Sequence, residues 1–328
     1  MQSAQAQSNS GVGIAFILVG VVAISVNDML IKFLSGDYPL HEIVFARSAI
    51  GIAFSLVLVQ LEGGWRILRA DHPALHLLRC IMIVIANMTF FSALAVLPLA
   101  EATALFFVSP LIITLLSVPL LGEKVGPLRL GAVLVGFVGV IVMTRPWEAQ
   151  DGRDISMVIY LLPILAAVTY SINQVLTRML GVTAKASALT VYIQSTFIVV
   201  SLGFWTFAGD GRFAEGLTNQ SLIFLLRAWI WPQGSDIWLF LTLGFNSAIL
   251  GYALAQAYRS ADAAVVAPFE YAILPLAIFW GWLIWADLPD AVTLVGIALI
   301  LGAGLFVFLR EYQKKRRVLR GKRVHGRW

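Results

Sequence analysis

The sequence predicts an all-α polytopic membrane protein: ten transmembrane helices, arranged as two inverted five-helix repeats around a central cavity. Of the 328 residues, 59% are hydrophobic and only 12% are charged, whereas a soluble domain carries about 25% charged residues. The apolar residues form runs of about 20, each long enough as a helix to cross a hydrocarbon core of about 30 Å. A pattern of polar residues inside the first run returns inside the sixth.

The spans are separated by connections rich in glycine, proline and charge. We predict them at residues 12–34, 42–61, 77–97, 101–121, 127–144, 155–180, 187–208, 236–258, 262–285 and 290–310. Segment 221–233 is apolar but short and carries Arg227. We interpret it as a helix lying at the interface, with Trp229 and Trp231 at headgroup depth; an eleventh span is the alternative.

The Lys and Arg residues set the direction of the spans. With both termini in the cytoplasm, the inner connections and the C-terminal tail hold 16 Lys and Arg residues, and the outer connections hold four. This is the excess that the positive-inside rule predicts. No small-residue cleavage site follows the first run, so we expect it to be retained as a span. The expected location is a bacterial-type cytoplasmic (inner) membrane.

Several classes of site have no support in the sequence. Cys80 is the single cysteine, and the histidines His41, His72, His76 and His325 lack metal-ligand spacing. We expect no metal and no cofactor. No GxxxxGK[ST] motif is present, so ATP is not the direct energy source.

The C-terminal tail is strongly basic, reading KKRRVLRGKRVHGRW from residue 314. Such a charge run can bind nucleic acid or a protein partner. Directly after the last span, an anchor against anionic headgroups of the inner leaflet is favoured. We therefore expect membrane lipid, and no nucleic acid, as its partner.

The two halves of the chain are related in sequence. Residues 25–34 read SVNDMLIKFL and residues 171–180 read SINQVLTRML, an offset of 146 residues. A second pair of similar segments, one in each half, is LPLAEATAL (97–105) and YRSADAAVV (258–266). Because each half holds five spans, an odd number, equivalent helices run in opposite directions. Many secondary transporters are inverted repeats of this kind, with the substrate site near the membrane midplane.

The long motifs LPLAEATALFFVSPLIITLLSVPLLGEKV and SADAAVVAPFEYAILPLAIFWGWLIWADLPD resemble the EamA type of the drug/metabolite transporter superfamily. The resemblance implies a central cavity lined by the first, third, fourth, sixth, eighth and ninth helices, with the fifth and tenth packed outside. It divides the chain into a cytoplasmic N-terminal tail (1–11), a first EamA-like repeat (12–144), an outer connection (145–154), a second EamA-like repeat (155–310) and a basic cytoplasmic tail (311–328). The resemblance implies a transporter of small metabolites, because the family includes amino-acid and metabolite exporters, S-adenosylmethionine importers and riboflavin importers.

Charged side chains within spans are costly and are functional candidates by default. Asp28 and Lys32 lie one helical turn apart, so they can form a local ion pair, contact substrate or build an outer gate. Glu270 lies about two turns into the ninth span with no cation nearby in sequence. It suits a proton-coupled step or a cationic substrate group; the alternative is pairing with a basic group on another helix. We expect Arg47 to face outward-side carboxylates such as Glu42.

Neutral polar side chains on the helices expected to line the cavity complete the candidate site. Any one of them is more often a contact between helices than a ligand contact. The substrate-binding candidates are Asn27, Asp28, Asn87, Tyr170, Asn173, Gln174, Asn246, Tyr252, Gln256, Glu270 and Tyr271; the coupling or gating candidates are Asp28, Lys32 and Glu270. Phe106, Phe107, Phe269 and Tyr271 are candidates for stacking on a planar ligand, although packing in the core is the more common role for any one of them.

These observations predict a secondary transporter of the inner membrane that moves a small metabolite of the amino acid, S-adenosylmethionine or riboflavin class by alternating access. Proton coupling, exchange and facilitated diffusion are all compatible with the residues. The alternative is a membrane-embedded enzyme acting on a lipid-like substrate, for which the spans offer no HExxH, Asp-rich or Ser/His/Asp set. A scaffold or receptor without transport is disfavoured by the repeat with its polar groups inside the membrane.

Overall fold

The computed structural model describes residues 2–69, 72–122, 126–148, 156–180, 186–260 and 269–324. These residues form α-helices joined by short connections, and they contain no strand. The helices are α1 (Gln2–Leu34), α2 (Leu40–Glu62), α3 (Pro73–Leu94), α4 (Leu99–Phe106), α5 (Ser109–Leu121), α6 (Pro127–Thr144), α7 (Met157–Leu180), α8 (Ala186–Ala208), α9 (Gln220–Leu226), α10 (Asp236–Ser260), α11 (Ile273–Trp285) and α12 (Ala291–Val324). Two 3₁₀ turns lie at Trp65–Leu68 and Pro146–Glu148.

Most of the predicted spans are present as long apolar helices. Eight stretches are long and apolar enough to cross a membrane: Gly11–Leu34, Leu40–Glu62, Pro73–Leu94, Leu99–Leu120, Met157–Thr177, Ser187–Ala208, Asp236–Leu254 and Ala291–Arg310. Two shorter apolar helices, Leu130–Thr144 and Ile273–Trp285, coincide with the fifth and ninth predicted spans. The chain is therefore an all-α polytopic membrane protein. The count of ten spans is not fully confirmed, since the ninth prediction begins in residues 262–268, outside the described ranges.

Prolines explain where several helices begin and break. Pro73 and Pro127 stand in the first turn of α3 and α6, where a missing N–H costs nothing. Within the fourth predicted span, Pro110 has no N–H to donate to the Phe106 carbonyl, and its ring would clash with that carbonyl in a continuous helix. For this reason α4 ends at Phe106 and α5 begins at Ser109. Gly122, with a φ of 68°, then closes α5 in the left-handed conformation that favours glycine.

The two halves of the chain pack together through matched helix pairs. The most extensive contacts join α1 to α10, α3 to α7, α2 to α8 and α6 to α12. Exchanging the halves turns the α1–α10 pair into the α7–α3 pair and leaves the other two pairs unchanged. We call the end of the bundle that holds Gly11 and Glu62 the N-terminal face, and the end that holds Leu34 and Leu40 the distal face.

The α6–α12 pair is held by close glycine contacts and an ion pair. A Cβ placed on Gly139 would lie 2.9 Å from the backbone oxygen of Gly296, so only glycine permits this approach. At the distal face, Arg145 forms an ion pair with Asp290. The hydrogen bond from the guanidinium lowers the pKa of Asp290 to about 2. The interface and the ion pair hold α12 against α6.

The connection before α10 differs from the interfacial helix predicted at 221–233. Only Gln220–Leu226 is helical, and the backbone from Arg227 to Gln233 is not. With seven residues, α9 is too short to be an eleventh span. The segment covers the distal face instead: Phe224 is buried, and the Ile230 N–H donates to a Glu42 carboxylate oxygen at 3.1 Å. Trp231 is 77% exposed, in keeping with an interfacial position.

Candidate functional site

Four polar residues from three helices meet in the interior of the bundle: Asn27 and Asp28 on α1, Arg47 on α2 and Asn87 on α3. We call them the central polar cluster. The Asn27 amide donates to Asp28 Oδ1 at 3.0 Å. Arg47 donates from Nη1 to Asn27 Oδ1 and from Nη2 to Asn87 Oδ1, both at 3.5 Å. Asn27, Asp28 and Arg47 are at most 9% exposed.

Arg47 is the residue whose role the sequence analysis missed. The expectation that it faces Glu42 is wrong, because its guanidinium points to the asparagines of the cluster. It also lies between two aromatic rings, 5.5 Å from the centroid of Phe91 and 5.4 Å from that of Phe197. Amide oxygens, ring faces and the nearby Asp28 together offset the cost of burying this cation.

Of the roles considered for Asp28 and Lys32, the local ion pair between them is wrong. Lys32 Nζ donates to the carbonyls of Leu94 at 3.0 Å and Leu97 at 2.7 Å, at the end of α3. The last carbonyls of a helix have no partner within it, and a cation there is stabilising. Lys32 also lies 5.2 Å from the centroid of Trp285. It therefore ties α1 to α3 and α11 towards the distal face and leaves Asp28 to the cluster.

A line of aromatic rings connects the central polar cluster to α7. The line begins at Phe91, beside Arg47. The ring centroids of Phe91 and Phe90 are 5.6 Å apart, those of Phe90 and Phe106 are 5.2 Å apart, and those of Phe106 and Tyr170 are 5.2 Å apart. We call these four residues the aromatic run. Phe106 packs against the hydrophobic core within this run, and its stacking on a planar ligand stays a prediction. The rings pack on one another in the core, between the hydrogen-bonding groups of the central polar cluster and those of α7.

The far end of the aromatic run carries further predicted site residues. Gln174 Nε2 donates to the Tyr170 hydroxyl at 2.7 Å. Glu270 lies close enough to both Tyr170 and Tyr271 to act electrostatically on their phenols. The structure thus brings Tyr170, Gln174 and Glu270 into one region, separated from Asp28 by the aromatic run.

The two remaining predicted asparagines have different surroundings. Asn246 Nδ2 donates to the backbone oxygen of Ala23 at 2.7 Å, so it links α10 to α1. Asn173, at the position equivalent to Asn27 in the second half, is 5% exposed. Its Oδ1 is buried without a hydrogen-bond partner. A buried acceptor left unpaired is costly and marks a place where a ligand or water would be bound.

The last three predicted residues lie away from the central polar cluster. Tyr271 packs on Phe107, with ring centroids 5.2 Å apart, and its hydroxyl lies against Gly304 of α12. Tyr252 and Gln256 line a separate cavity between α2, α8 and α10. Tyr252 is 42% exposed.

The cluster combines one carboxylate and one guanidinium, so its formal charges cancel. Its carboxamides can both donate and accept, and rings flank the cation. None of the described parts of the chain gathers three or more His, Cys, Asp or Glu side chains that could hold a metal ion. The arrangement suits reversible binding of a neutral or zwitterionic molecule with hydrogen-bonding edges.

Comparisons with known proteins agree on one family. Residues 11–145 match the EamA-like transporter family. The chain is similar to a riboflavin transporter of Vibrio cholerae, 31% identical over 307 residues, with 93% of each chain covered. It is also similar to a riboflavin transporter of Rhizobium johnstonii, 29% identical, covering 94% of this chain and 95% of the relative. An S-adenosylmethionine uptake transporter of Rickettsia prowazekii is 26% identical, with 91% and 93% covered.

Proposed function

Because the chain belongs to the EamA-like transporter family, we propose that it is a small-metabolite secondary transporter whose substrate binds at the central polar cluster and the aromatic run, and that its substrate is of the riboflavin class. The observation that carries this proposal is the burial of Asp28 and Arg47 together among asparagine side chains and aromatic rings. Ionisable groups at such depth are retained in membrane proteins mainly where they serve a substrate or ion path.

The charge balance of the cluster separates the two substrate classes named for its relatives. S-adenosylmethionine carries two positive groups and one carboxylate: Arg47 can pair with the carboxylate and Asp28 with one positive group, but the cluster holds no second carboxylate for the other positive group. A neutral substrate is repelled neither by the Asp28 carboxylate nor by the Arg47 guanidinium, and it can form hydrogen bonds with the carboxamides of Asn27 and Asn87. The cluster therefore favours riboflavin over S-adenosylmethionine.

The aromatic run supports the same choice. Riboflavin presents a planar ring system whose edge carries donors and acceptors, together with a flexible hydroxylated chain. The aromatic run begins at Phe91, beside the Arg47 guanidinium, and continues through Phe90 to Phe106; stacking of a planar ligand on such rings contributes about 0.5–1.5 kcal/mol per pair beyond the buried area. The unpaired Oδ1 of Asn173 is an additional acceptor for a donor on the ligand.

The matched packing of the two halves supports an inverted repeat with domains as predicted, and thus alternating access around the cluster. The contacts of Lys32 with the end of α3, and of Ile230 with Glu42, lie between the cluster and the distal face. We propose that these contacts close that face and separate when the transporter opens to it. Asp28 and Glu270 are the proposed proton-coupling residues; a Glu270→Gln variant with unchanged pH dependence of transport would exclude Glu270.

We propose an inner-membrane location with both termini in the cytoplasm. The α12 helix continues beyond Arg310 to Val324, so the basic residues leave the membrane on a helix. This geometry supports an anchor on anionic headgroups. The relatives are transporters, and we propose that this chain likewise moves its substrate without changing it chemically.

Equilibrium binding tests the proposed substrate. Riboflavin fluorescence is titrated with purified protein in detergent, and S-adenosylmethionine is added as a competitor. We expect quenching on binding, weakened at least ten-fold by Asn87→Leu and unaffected by excess S-adenosylmethionine. Val57→Leu, on the exposed side of α2, is the matched control and should bind as the unmodified protein does. Displacement of riboflavin by S-adenosylmethionine at equal concentration would contradict the charge argument.

A further inference from the structure

A second cavity lies apart from the central polar cluster, in the half of the bundle nearer the N-terminal face; its lining surface is mostly apolar, from residues such as Phe54, Leu58 and Ala248, with polar side chains among them. It is enclosed by α2, α8 and α10 and has a volume of about 80 Å³. Its lining includes Ser55, Thr190, Gln194, Ser247, Tyr252 and Gln256. Because a buried water needs only about 10–15 Å³ measured in this way, the cavity has room for several waters or for a short hydroxylated chain.

The cavity begins one helical turn from the cluster on two helices. On α2, Arg47 is followed on the same side, at a spacing of four residues, by Gly51 and then Ser55. On α8, Phe197 flanks the Arg47 guanidinium, and Gln194 lies three residues before it in the cavity wall. A continuous side of each helix therefore leads from the buried cation into the cavity.

Gly51 and Gln194 lie at the end of the cavity nearest Arg47, and Gln194 has an unpaired acceptor there. A Cβ on Gly51 would lie 2.8 Å from Gln194 Nε2, so glycine leaves the space that the Gln194 carboxamide occupies. Gln194 Oε1 is buried and has no hydrogen-bond partner. An unpaired acceptor at this depth costs free energy unless a ligand or a water donates to it.

The mouth of the cavity reaches the N-terminal face. Ser187, at the start of α8, donates to Glu62 at the end of α2 at 2.8 Å, and both residues line the cavity. Hydroxyl and carboxamide groups thus occur at intervals along the cavity wall, from the N-terminal face to within one turn of Arg47, among apolar residues such as Phe54 and Leu58. The α2 and α8 helices, which are the second and seventh spans, supply most of the wall of this cavity. The family resemblance implies a central cavity lined by other spans, namely the first, third, fourth, sixth, eighth and ninth.

We infer that the α2–α8–α10 cavity is the part of the substrate path that joins the central polar cluster to the N-terminal face, and that it binds the neutral hydroxylated portion of the substrate. The inference rests on the proposed function. Gln194 is its main contact, accepting a hydrogen bond from a substrate hydroxyl, while the planar portion stays with the aromatic run. The cavity is too small for that planar portion, so the substrate passes only when α2 and α8 separate.

Cysteine reactivity tests the path without relying on the substrate. Cys80, 2% exposed, is replaced by serine, and a single cysteine is then introduced as Ser55→Cys or Thr190→Cys in the cavity. Val57→Cys is the matched control, since Val57 lies at similar depth on α2 but is 60% exposed on the outside of the bundle. The full-length proteins are placed in lipid nanodiscs and treated with a charged, water-soluble methanethiosulfonate, with and without riboflavin.

We expect both cavity cysteines to react at least ten-fold faster than the cysteine of the Val57→Cys control, because thiolates form and meet the reagent only where water enters. We also expect riboflavin to slow the reaction several-fold. Equal, slow reaction at all three positions would overturn the path. Fast reaction that riboflavin does not slow would support a water-filled path and overturn its occupation by riboflavin; if riboflavin also fails to bind the unmodified protein, the proposed substrate is at fault.

Discussion

Replacing Arg47 by glutamine tests whether the central polar cluster behaves as one electrostatic unit. The variant keeps a hydrogen-bonding side chain but removes the cation that lies 5.5 and 5.4 Å from the ring centroids of Phe91 and Phe197. It leaves the Asp28 carboxylate buried without its nearby guanidinium. Asp28→Asn removes the opposite charge and leaves Arg47 buried in the same way.

The expected coupling follows from the hydrogen bonds. Asn27 bridges the two charges through contacts of 3.5 and 3.0 Å. At the separation of about 7 Å that such a bridge implies, with an effective dielectric constant of about 20, Coulomb's law gives about 2 kcal/mol. Removing one partner of a buried pair costs roughly 3–5 kcal/mol, because the other charge stays buried. The double variant buries neither charge, so it should be less destabilised than the sum of the single variants by about 2 kcal/mol.

The assay is thermal unfolding of the purified proteins in detergent, followed by tryptophan fluorescence. On the scale of larger soluble domains, roughly 2–4 °C per kcal/mol, the coupling corresponds to about 4–8 °C in the unfolding midpoint. The control is Asp28→Asn combined with Arg79→Gln, because Arg79 is buried but donates to the Leu189 carbonyl, outside the cluster. Effects of Asp28→Asn and Arg47→Gln that add within about 0.5 kcal/mol would refute the reasoning.

Three further outcomes follow from the packing. Gly139→Leu should lower the unfolding midpoint by an amount equivalent to about 1–3 kcal/mol, because its side chain would meet the facing backbone; Gly131→Leu, whose Cβ has open space, should not. Lys32→Met should lower the midpoint and Lys32→Arg should restore most of the loss, because two carbonyls at the end of α3 lose a charged donor. Asp290→Asn should lower the midpoint at pH 7, since Arg145 depresses the pKa of Asp290 from 3.8 to about 2. Stability from a depressed pKa is fully present above the ordinary value, so the difference should stay constant from about pH 5 to 8 and vanish as pH falls through about 2.

The helices could be predicted from sequence because their cause is local. Apolar runs of about 20 residues, proline starts and glycine ends determine a transmembrane helix without reference to its neighbours. The break between Phe106 and Ser109 is less evident from sequence, since a proline such as Pro110 near the middle of the apolar run 101–121 is compatible with a kink as well as with a new helix. In the connection at 221–233 the helix ends at Leu226, and the prediction is wrong for 227–233, because hydrophobicity alone does not determine secondary structure in a segment packed on other helices.

Sequence alone can select candidate site residues only by residue type and by position within a span. Asn27, Asp28 and Asn87 are selected by sequence because they are polar groups inside apolar spans, and the structure brings them together with Arg47; that they bind substrate stays a prediction. Arg47 was assigned the wrong environment, because five residues beyond Glu42 on a helix an arginine can still extend to the interface. The spacing of Lys32 and Asp28 on α1 allows an ion pair between them, whereas the contact of Lys32 with the carbonyls of Leu94 and Leu97 depends on tertiary packing, which the spacing does not show.

Counterflow in proteoliposomes tests the central claim most directly. Vesicles containing the purified protein are loaded with unlabelled riboflavin and diluted into labelled riboflavin, and the transient accumulation of label is followed. The account predicts accumulation by the unmodified protein and by Val57→Leu, and at least a ten-fold lower initial rate for Asn87→Leu. Equal rates for Asn87→Leu and the unmodified protein, or riboflavin that binds without crossing the membrane, would contradict it.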